Sequence, residues 1–117
     1  MKGLLVNYEI CTGCHSCEVA CKKHLDLKEG EFGIKLCELG PYEYEDAEPY
    51  VGKERWDWAW IPVLTKKCDM CEDRVAVGKM PSCVQHCQAW CLSYGEVEDL
   101  AKEIDPDGRY SLMTNGN

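Results

Sequence analysis

The sequence lacks the features that would place it in a membrane or on nucleic acid. No apolar run among its 117 residues approaches the roughly 20 residues that a membrane-spanning helix needs. Lys and Arg number 13 against 21 Asp and Glu, which gives a formal net charge of -8. Binding to nucleic acid or to an anionic membrane surface depends on basic side chains, so the composition argues against both. An acidic balance is typical of a soluble protein and suits docking on a positively charged partner.

Export signals and catalytic motifs are also missing from the sequence. The N-terminal residues 1–9 turn polar too soon for a signal peptide. We therefore expect a cytoplasmic protein, unless it is exported together with a partner that carries the signal. The sequence has no Ser/His/Asp order, no Gly-rich phosphate loop and no carboxylate pair with a reason to be paired, so we expect no catalysis by the chain alone.

Cysteine, by contrast, is abundant. Eight of the ten cysteines form two blocks, Cys11-x2-Cys14-x2-Cys17-x3-Cys21 and Cys68-x2-Cys71-x11-Cys83-x3-Cys87. The first block has the spacing of a bacterial ferredoxin, and eight thiolates can hold two cubane 4Fe-4S clusters. Disulfide scaffolds belong to secreted proteins, so metal ligation is the favoured interpretation.

The spacing within each block predicts which cysteines share a cluster. The last two cysteines of each block are four residues apart, so on a helix they share one face. In two-cluster ferredoxins the fourth cysteine of one block binds the other cluster. The predicted first cluster is held by Cys11, Cys14, Cys17 and Cys87. The predicted second cluster is held by Cys21, Cys68, Cys71 and Cys83. Two four-cysteine zinc sites are the alternative, but a zinc ribbon uses two CxxC pairs per site.

Hydrophobic periodicity and turn residues predict an α+β chain. The predicted strands cover residues 3–8, 33–39, 56–64, 92–95 and 109–113, and the predicted helices cover residues 16–25 and 96–104. Gly40-Pro41 should end the second strand, an acidic loop should follow over residues 42–49, and residues 114–117 should fray. The expected architecture is one ferredoxin-like domain over residues 1–117, with a hairpin inserted at residues 33–65 and a C-terminal helix and strand within residues 95–117.

Other side chains near the blocks have several possible roles. Trp56, Trp58 and Trp60 alternate along one strand, so they could bind a partner, or equally cover a cluster or a small core. The two cysteines outside the blocks, Cys37 and Cys91, are expected to be small packing residues. Cys91 follows Cys87 by four residues and could replace it as a ligand if the helix continues.

Charged and imidazole side chains also flank the cysteines. Arg74 and Lys66-Lys67 lie beside the second CxxC pair, where positive charge would favour the reduced cluster. His15, His24 and His86 could in principle bind iron, but eight cysteines leave no vacancy for them.

Residues 8–23, 67–74 and 78–87 resemble the cluster blocks of the iron–sulfur subunits of the dimethyl sulfoxide reductase family. The resemblance implies a subunit that passes electrons between a molybdenum- or tungsten-pterin catalytic subunit and an outside partner. This sequence departs from the family in having cysteines for two clusters instead of four, and we expect no C-terminal extension that would meet a membrane anchor. It also has Gln88 where the family usually has proline, which could let the helix after Cys83 continue.

The expected function is therefore one-electron relay to or from a larger catalytic redox subunit, without direct membrane insertion. A free-standing soluble ferredoxin is the first alternative, and a zinc-stabilised interaction module is the second. The inserted hairpin and its tryptophans favour a bound subunit, because a free carrier needs only a small acidic docking face.

Overall fold

The fold is α+β, as predicted, in a computed structural model that describes residues 1–43 and 56–115. Its strands are β1 (Lys2–Asn7), β2 (Ile34–Glu43), β3 (Trp56–Leu64), β4 (Leu92–Glu96) and β5 (Tyr110–Met113). Its helices are α1 (Ser16–Leu25), α2 (Glu72–Ala76), α3 (Ser82–Gln85) and α4 (Val97–Lys102). Within these described ranges, no helix combines the length and the apolar character that crossing a membrane requires.

A three-stranded antiparallel sheet in the order β4-β1-β5 brings the two ends of the chain together. The central strand β1 is buried from Gly3 to Val6, since its neighbours and α4 cover it. Successive residues of a strand point to opposite faces, so Leu4 and Val6 share one face. That face packs on the core formed with Leu36 and Leu92, in which four of the cysteines are also buried.

Strands β2 and β3 pair as an antiparallel ribbon, from Ile34 opposite Leu64 to Glu43 opposite Trp56. The prediction that Gly40-Pro41 ends the strand is wrong, because β2 continues to Glu43 after a register shift between Leu39 and Tyr42. An irregularity of this kind is where a sheet tolerates proline. The predicted acidic loop lies outside the described residues apart from Tyr42 and Glu43, which belong to β2.

The second cysteine block differs most from its prediction. The helix that carries Cys83 ends at Gln85, so the continuation that Gln88 could have allowed does not occur, and Cys87 lies beyond the helix. The absence of proline at position 88 permits a longer helix but does not require one. Here the backbone turns at Trp90 instead, whose φ is 59°. The unpredicted helix α2 follows the second CxxC pair, with acidic residues in its first turn.

Two smaller differences lie near the C-terminus. Helix α4 covers Val97–Lys102 and is shorter than the predicted 96–104. The predicted fraying is wrong at Asn115, because its side-chain amide donates a hydrogen bond to the carbonyl of Cys68. Residues 116–117 lie outside the described residues.

Candidate metal centre

The structure brings the eight predicted ligand cysteines together in two groups. The first cavity is lined by Cys11, Cys14, Cys17, Cys87 and Cys91. The second cavity is lined by Cys21, Cys68, Cys71 and Cys83. Each cavity contains one complete set of the predicted pairing, with Cys91 as an additional thiol in the first. Ligation itself stays a prediction.

Helix α1 reaches both cavities because it carries one cysteine for each. Cys17 and Cys21 lie one helical turn apart, both buried, with Cys17 in the first cavity and Cys21 in the second. Helix α3 packs beside α1, and the Ser82 hydroxyl donates to the carbonyl of Ala20 at 3.3 Å. This packing holds Cys83 against the second cavity, so the two cavities lie side by side along α1.

Left-handed residues wind the loops around the cavities. Gly13 and His15 have φ values of 72° and 64° in the first block, and Met70 and Cys71 have 59° and 52° in the second. Non-glycine residues avoid this region by about 1–2 kcal/mol, so tertiary contacts must hold them there. Such backbone loops can aim N–H groups at sulfur atoms.

Backbone N–H groups point at cysteine sulfurs in the second block. The N–H of Met70 donates to Cys68 Sγ at 3.3 Å. The N–H of Ser82 donates to Cys71 Sγ at 3.4 Å, and that of Cys91 donates to Cys87 Sγ at 3.4 Å. Hydrogen bonds of this kind stabilise negative charge on metal-bound thiolates and tune the potential of an iron–sulfur centre.

Burial sets the protonation of most of these thiols. It raises the pKa of Cys17 to about 12 and that of Cys21 to about 11. It also raises the pKa of Cys83. Exposed Cys14 differs, since hydrogen bonds with Ser16 lower the pKa of its thiol. The buried thiols therefore hold their protons at neutral pH until a metal displaces them.

The donor sets fit a group larger than one metal ion. A zinc ion with Zn–S bonds of about 2.3 Å would draw four sulfurs to about 3.8 Å from one another. Among residues 1–43 and 56–115, no three His, Cys, Asp or Glu side chains converge closely enough to hold a single ion. Five thiols line the first cavity and four line the second, and groups of four or more thiolates can hold an iron–sulfur cluster.

Glu18 is a site residue that the sequence analysis missed. It follows Cys17 on α1 and is only 4% exposed. Its carboxylate contacts His15 Nδ1, and its Oε2 accepts from the N–H of Leu36 at 3.2 Å and lies 3.3 Å from Lys35 Nζ. Burial favours a high pKa, but these partners together lower the pKa of Glu18 below its usual value. The carboxylate thus ties β2 to α1 beside the first cavity.

The three tryptophans of β3 have different surroundings. Trp60 packs against the core, and its indole contacts the His15 ring edge-to-face with centroids 5.6 Å apart. It also covers Gly13, where a Cβ atom would lie 2.6 Å from the indole. Trp56 and Trp58 are 57% and 60% exposed. Trp60 therefore covers the first cysteine loop, whereas the other two leave an apolar surface open.

The basic side chains beside the second CxxC pair form hydrogen bonds and ion pairs with other segments. Arg74 Nε donates to the carbonyl of Met80 at 2.9 Å, which holds the loop after α2. Lys67 Nζ lies 2.7 Å from Glu31 Oε2, so its charge is already paired. The prediction that Cys37 packs inside is wrong, because its side chain is exposed on β2.

The histidines have separate environments. His15 lines the first cavity, His24 pairs with Asp73 at 2.9 Å, and His86 Nδ1 lies 2.9 Å from the carbonyl of Ser82.

No family model matches the chain. Over 100 residues it is 27% identical to a subunit of the anaerobic dimethyl sulfoxide reductase of Escherichia coli, in an alignment that covers 86% of this chain and 34% of that relative. Over 114 residues it is 26% identical to protein NrfC of Escherichia coli, with coverage of 92% and 38%. Over 93 residues it is 29% identical to a protein of Nitratidesulfovibrio vulgaris, with coverage of 80% and 18%.

These similarities confirm the predicted resemblance to the iron–sulfur subunits of the dimethyl sulfoxide reductase family. The chain spans about a third of the length of the dimethyl sulfoxide reductase subunit that it matches.

Proposed function

We propose that this chain is an electron-transfer subunit with two 4Fe-4S clusters, which relays single electrons to or from a larger catalytic subunit of an oxidoreductase. The catalytic subunit would contain a molybdenum- or tungsten-pterin, and the chain would perform no catalysis alone. The observation that carries the proposal is the division of the cysteines between two cavities that α1 connects. Each cluster, when bound, would accept and release one electron.

The assignment of residues follows the lining of each cavity. Cys11, Cys14, Cys17 and Cys87 would hold the first cluster, and Cys21, Cys68, Cys71 and Cys83 the second. The N–H groups that point at sulfur would stabilise thiolate charge. Apolar side chains around the cavities, including Leu36 and Pro62 in the first, would exclude water.

The first cavity is the better exit point for electrons. Its Cys14 is exposed and its Cys11 and Cys87 are half-buried, whereas three of the four cysteines of the second cavity are buried. A docked partner would approach a cluster more closely on the Cys14 side. The second cluster would then extend the relay into the interior.

The exposed tryptophans favour a bound subunit over a free ferredoxin. Trp56 and Trp58 lie on the same ribbon that covers the first cavity, and Tyr42 nearby is also exposed. Aromatic side chains are enriched at the centres of protein interfaces, where they bury large areas. The similarity to a dimethyl sulfoxide reductase subunit also favours a bound subunit.

Cluster content tests the proposal directly. Anaerobically purified protein should contain about eight iron and about eight sulfide per polypeptide, with the brown colour of iron–sulfur protein. Stoichiometric zinc in a colourless protein would refute the proposal and support the zinc-stabilised module instead.

The partner is tested with two tryptophan variants. Replacing Trp56 and Trp58 with Ala should leave the iron content unchanged while reducing the amount of the larger subunit that co-purifies from the native host, because both side chains are more than half exposed and line neither cavity. Val77→Ala is a control, since Val77 is also exposed but lies outside the ribbon. If no larger subunit co-purifies with the parent protein, the free-ferredoxin alternative is favoured.

A further inference from the structure

The first cavity contains one thiol more than a cubane cluster needs. Cys91 lines it together with the four proposed ligands, and the side chain is 4% exposed. Its Sγ lies 3.5 Å from Cys87 Sγ, which is within hydrogen-bond distance for two sulfurs. Burial alone is ordinary for a cysteine that packs as a small apolar residue. Contact with a proposed ligand inside a thiol-lined cavity is a second, independent feature.

The backbone around Cys91 holds this thiol in place. Trp90 has a φ of 59°, an outlier for so bulky a residue, and its side chain is exposed. The turn at Trp90 directs the following residue back toward the cavity. The Cys91 carbonyl accepts from the N–H of Asn7 at 2.9 Å, which anchors the turn to β1. Strain that is kept in place by such contacts is often associated with function.

We infer that Cys91 is a reserve ligand, able to replace Cys87 on the cluster of the first cavity. This inference rests on the proposed function and adds a fifth usable thiol to that site. In the exchange, the iron–Sγ bond to Cys87 would break and an iron–Sγ bond to Cys91 would form. The proton of the Cys91 thiol moves to the Cys87 sulfur across their contact. No electron is gained or lost and the net charge is unchanged, so the exchange needs no further reactant.

The second cavity provides an internal control. In the described part of the chain, its lining includes four cysteines and no fifth. In the first cavity, Cys87 Sγ and Cys91 Sγ are 3.5 Å apart. Rotation of the two side chains can therefore exchange their positions with little backbone movement. Among the residues that the structure describes, no further thiol lines the second cavity that could replace Cys83.

The decisive experiment measures iron per polypeptide in anaerobic protein with single and double substitutions. Parent protein, Cys87→Ala and Cys91→Ala should each retain about eight iron. The double variant should retain about four, as should the control Cys83→Ala, which has no reserve thiol. The reduced Cys87→Ala protein should also keep the electron paramagnetic resonance signals of two clusters, with one of them changed in shape.

Two outcomes separate the inference from the proposal beneath it. Parent protein with about eight iron, together with Cys87→Ala at about four, would overturn the reserve ligand and leave the two-cluster proposal intact. Parent protein without iron would refute the proposed function and the inference together.

A kinetic measurement decides the matter even if the Cys87→Ala protein does not fold. In the parent protein, when the Cys87 sulfur dissociates from iron, the Cys91 thiol can bind the iron in its place. Cys91→Ala should therefore lose half of its iron to an anaerobic ferrous chelator several-fold faster than the parent. Cys37→Ala, which removes an exposed thiol away from both cavities, should match the parent. Equal rates in all three proteins would contradict the inference.

Discussion

Substitution of Gly13 by alanine tests how the β2–β3 ribbon supports the first cysteine loop. Gly13 has a φ of +72°, and a Cβ atom there would lie 2.6 Å from the Trp60 indole. Real Cβ atoms do not come this close to neighbouring atoms, so either the loop or the indole must move. Because Cys11 and Cys14 flank this position, the movement would disturb the first cavity.

The magnitude has two parts that a matched control can separate. An alanine in the left-handed region costs about 1–2 kcal/mol. Overpacking against a fixed neighbour typically costs about 1–3 kcal/mol more. Gly30 has a φ of +82° with nothing within 4 Å of a Cβ, so Gly30→Ala should show only the first part. Since about 1 kcal/mol shifts the midpoint of a protein this size by about 3–6 °C, Gly13→Ala should melt at least about 3 °C below Gly30→Ala.

The assay is thermal unfolding of anaerobic, iron-loaded protein, with both variants compared at one scan rate. Iron release should also begin earlier in Gly13→Ala than in Gly30→Ala. Repeating the Gly13 substitution in a Trp60→Ala background should reduce its effect to that of Gly30→Ala, because the clash is gone. Equal midpoints for the two glycine variants in the parent background would refute the contact between Trp60 and the loop.

Three further predictions concern the second cavity and the attachment of the ribbon. Gly33→Ala should reduce the iron content to about four per polypeptide, because its methyl group would collide with Cys21 Sγ, and full iron content would contradict that contact. Cys21→Ala should remove the cluster of the second cavity and leave the first, so loss of the first cluster's resonance signal instead would show that the crossover pairing is wrong. Asp57→Asn should cost about 0.5–1 kcal/mol at neutral pH, because it breaks the pair with Arg109, whose nitrogens lie 2.9 and 3.3 Å from the carboxylate. Hydrogen bonds from Arg109 lower the pKa of Asp57, so this contribution is present above the ordinary carboxyl pKa of about 3.9 and is lost as the pH falls through the lowered value. A difference between Asp57→Asn and parent that persists below that value would exclude the ion pair as its cause.

The parts of the site that the sequence predicted are those set by local spacing. The interval between Cys17 and Cys21 places both on one face of a helix, and α1 is observed at the predicted residues. The alternation along β2 and β3 predicted their pairing because each strand has a buried and an exposed face near the core.

The parts that escaped prediction depend on partners distant in sequence. Glu18 looks like a surface residue, since its partners Lys35 and Leu36 belong to another element. The alternation of the tryptophans could not distinguish Trp60 from its neighbours, because only tertiary packing places Gly13 beneath it. The contact of Cys91 with Cys87 arises from a turn where a helix was considered.

Each cavity combines cysteines from both blocks, so neither can be completed until the second block has been synthesised. Cys87 follows Cys17 by 70 residues, and Cys83 follows Cys21 by 62. At about 5–20 residues per second, ribosomes need about 4–14 s to pass from Cys17 to Cys87. Until Cys83 is made, neither cavity has all of its thiols, and the first cavity stays incomplete until Cys87 follows. Iron delivered early would meet three or four closely spaced thiols of one block, which is not the set that belongs together in either cavity. Cluster insertion should therefore wait for completion of the second block, and a nascent polypeptide stalled before Cys83 would have two unfinished cavities.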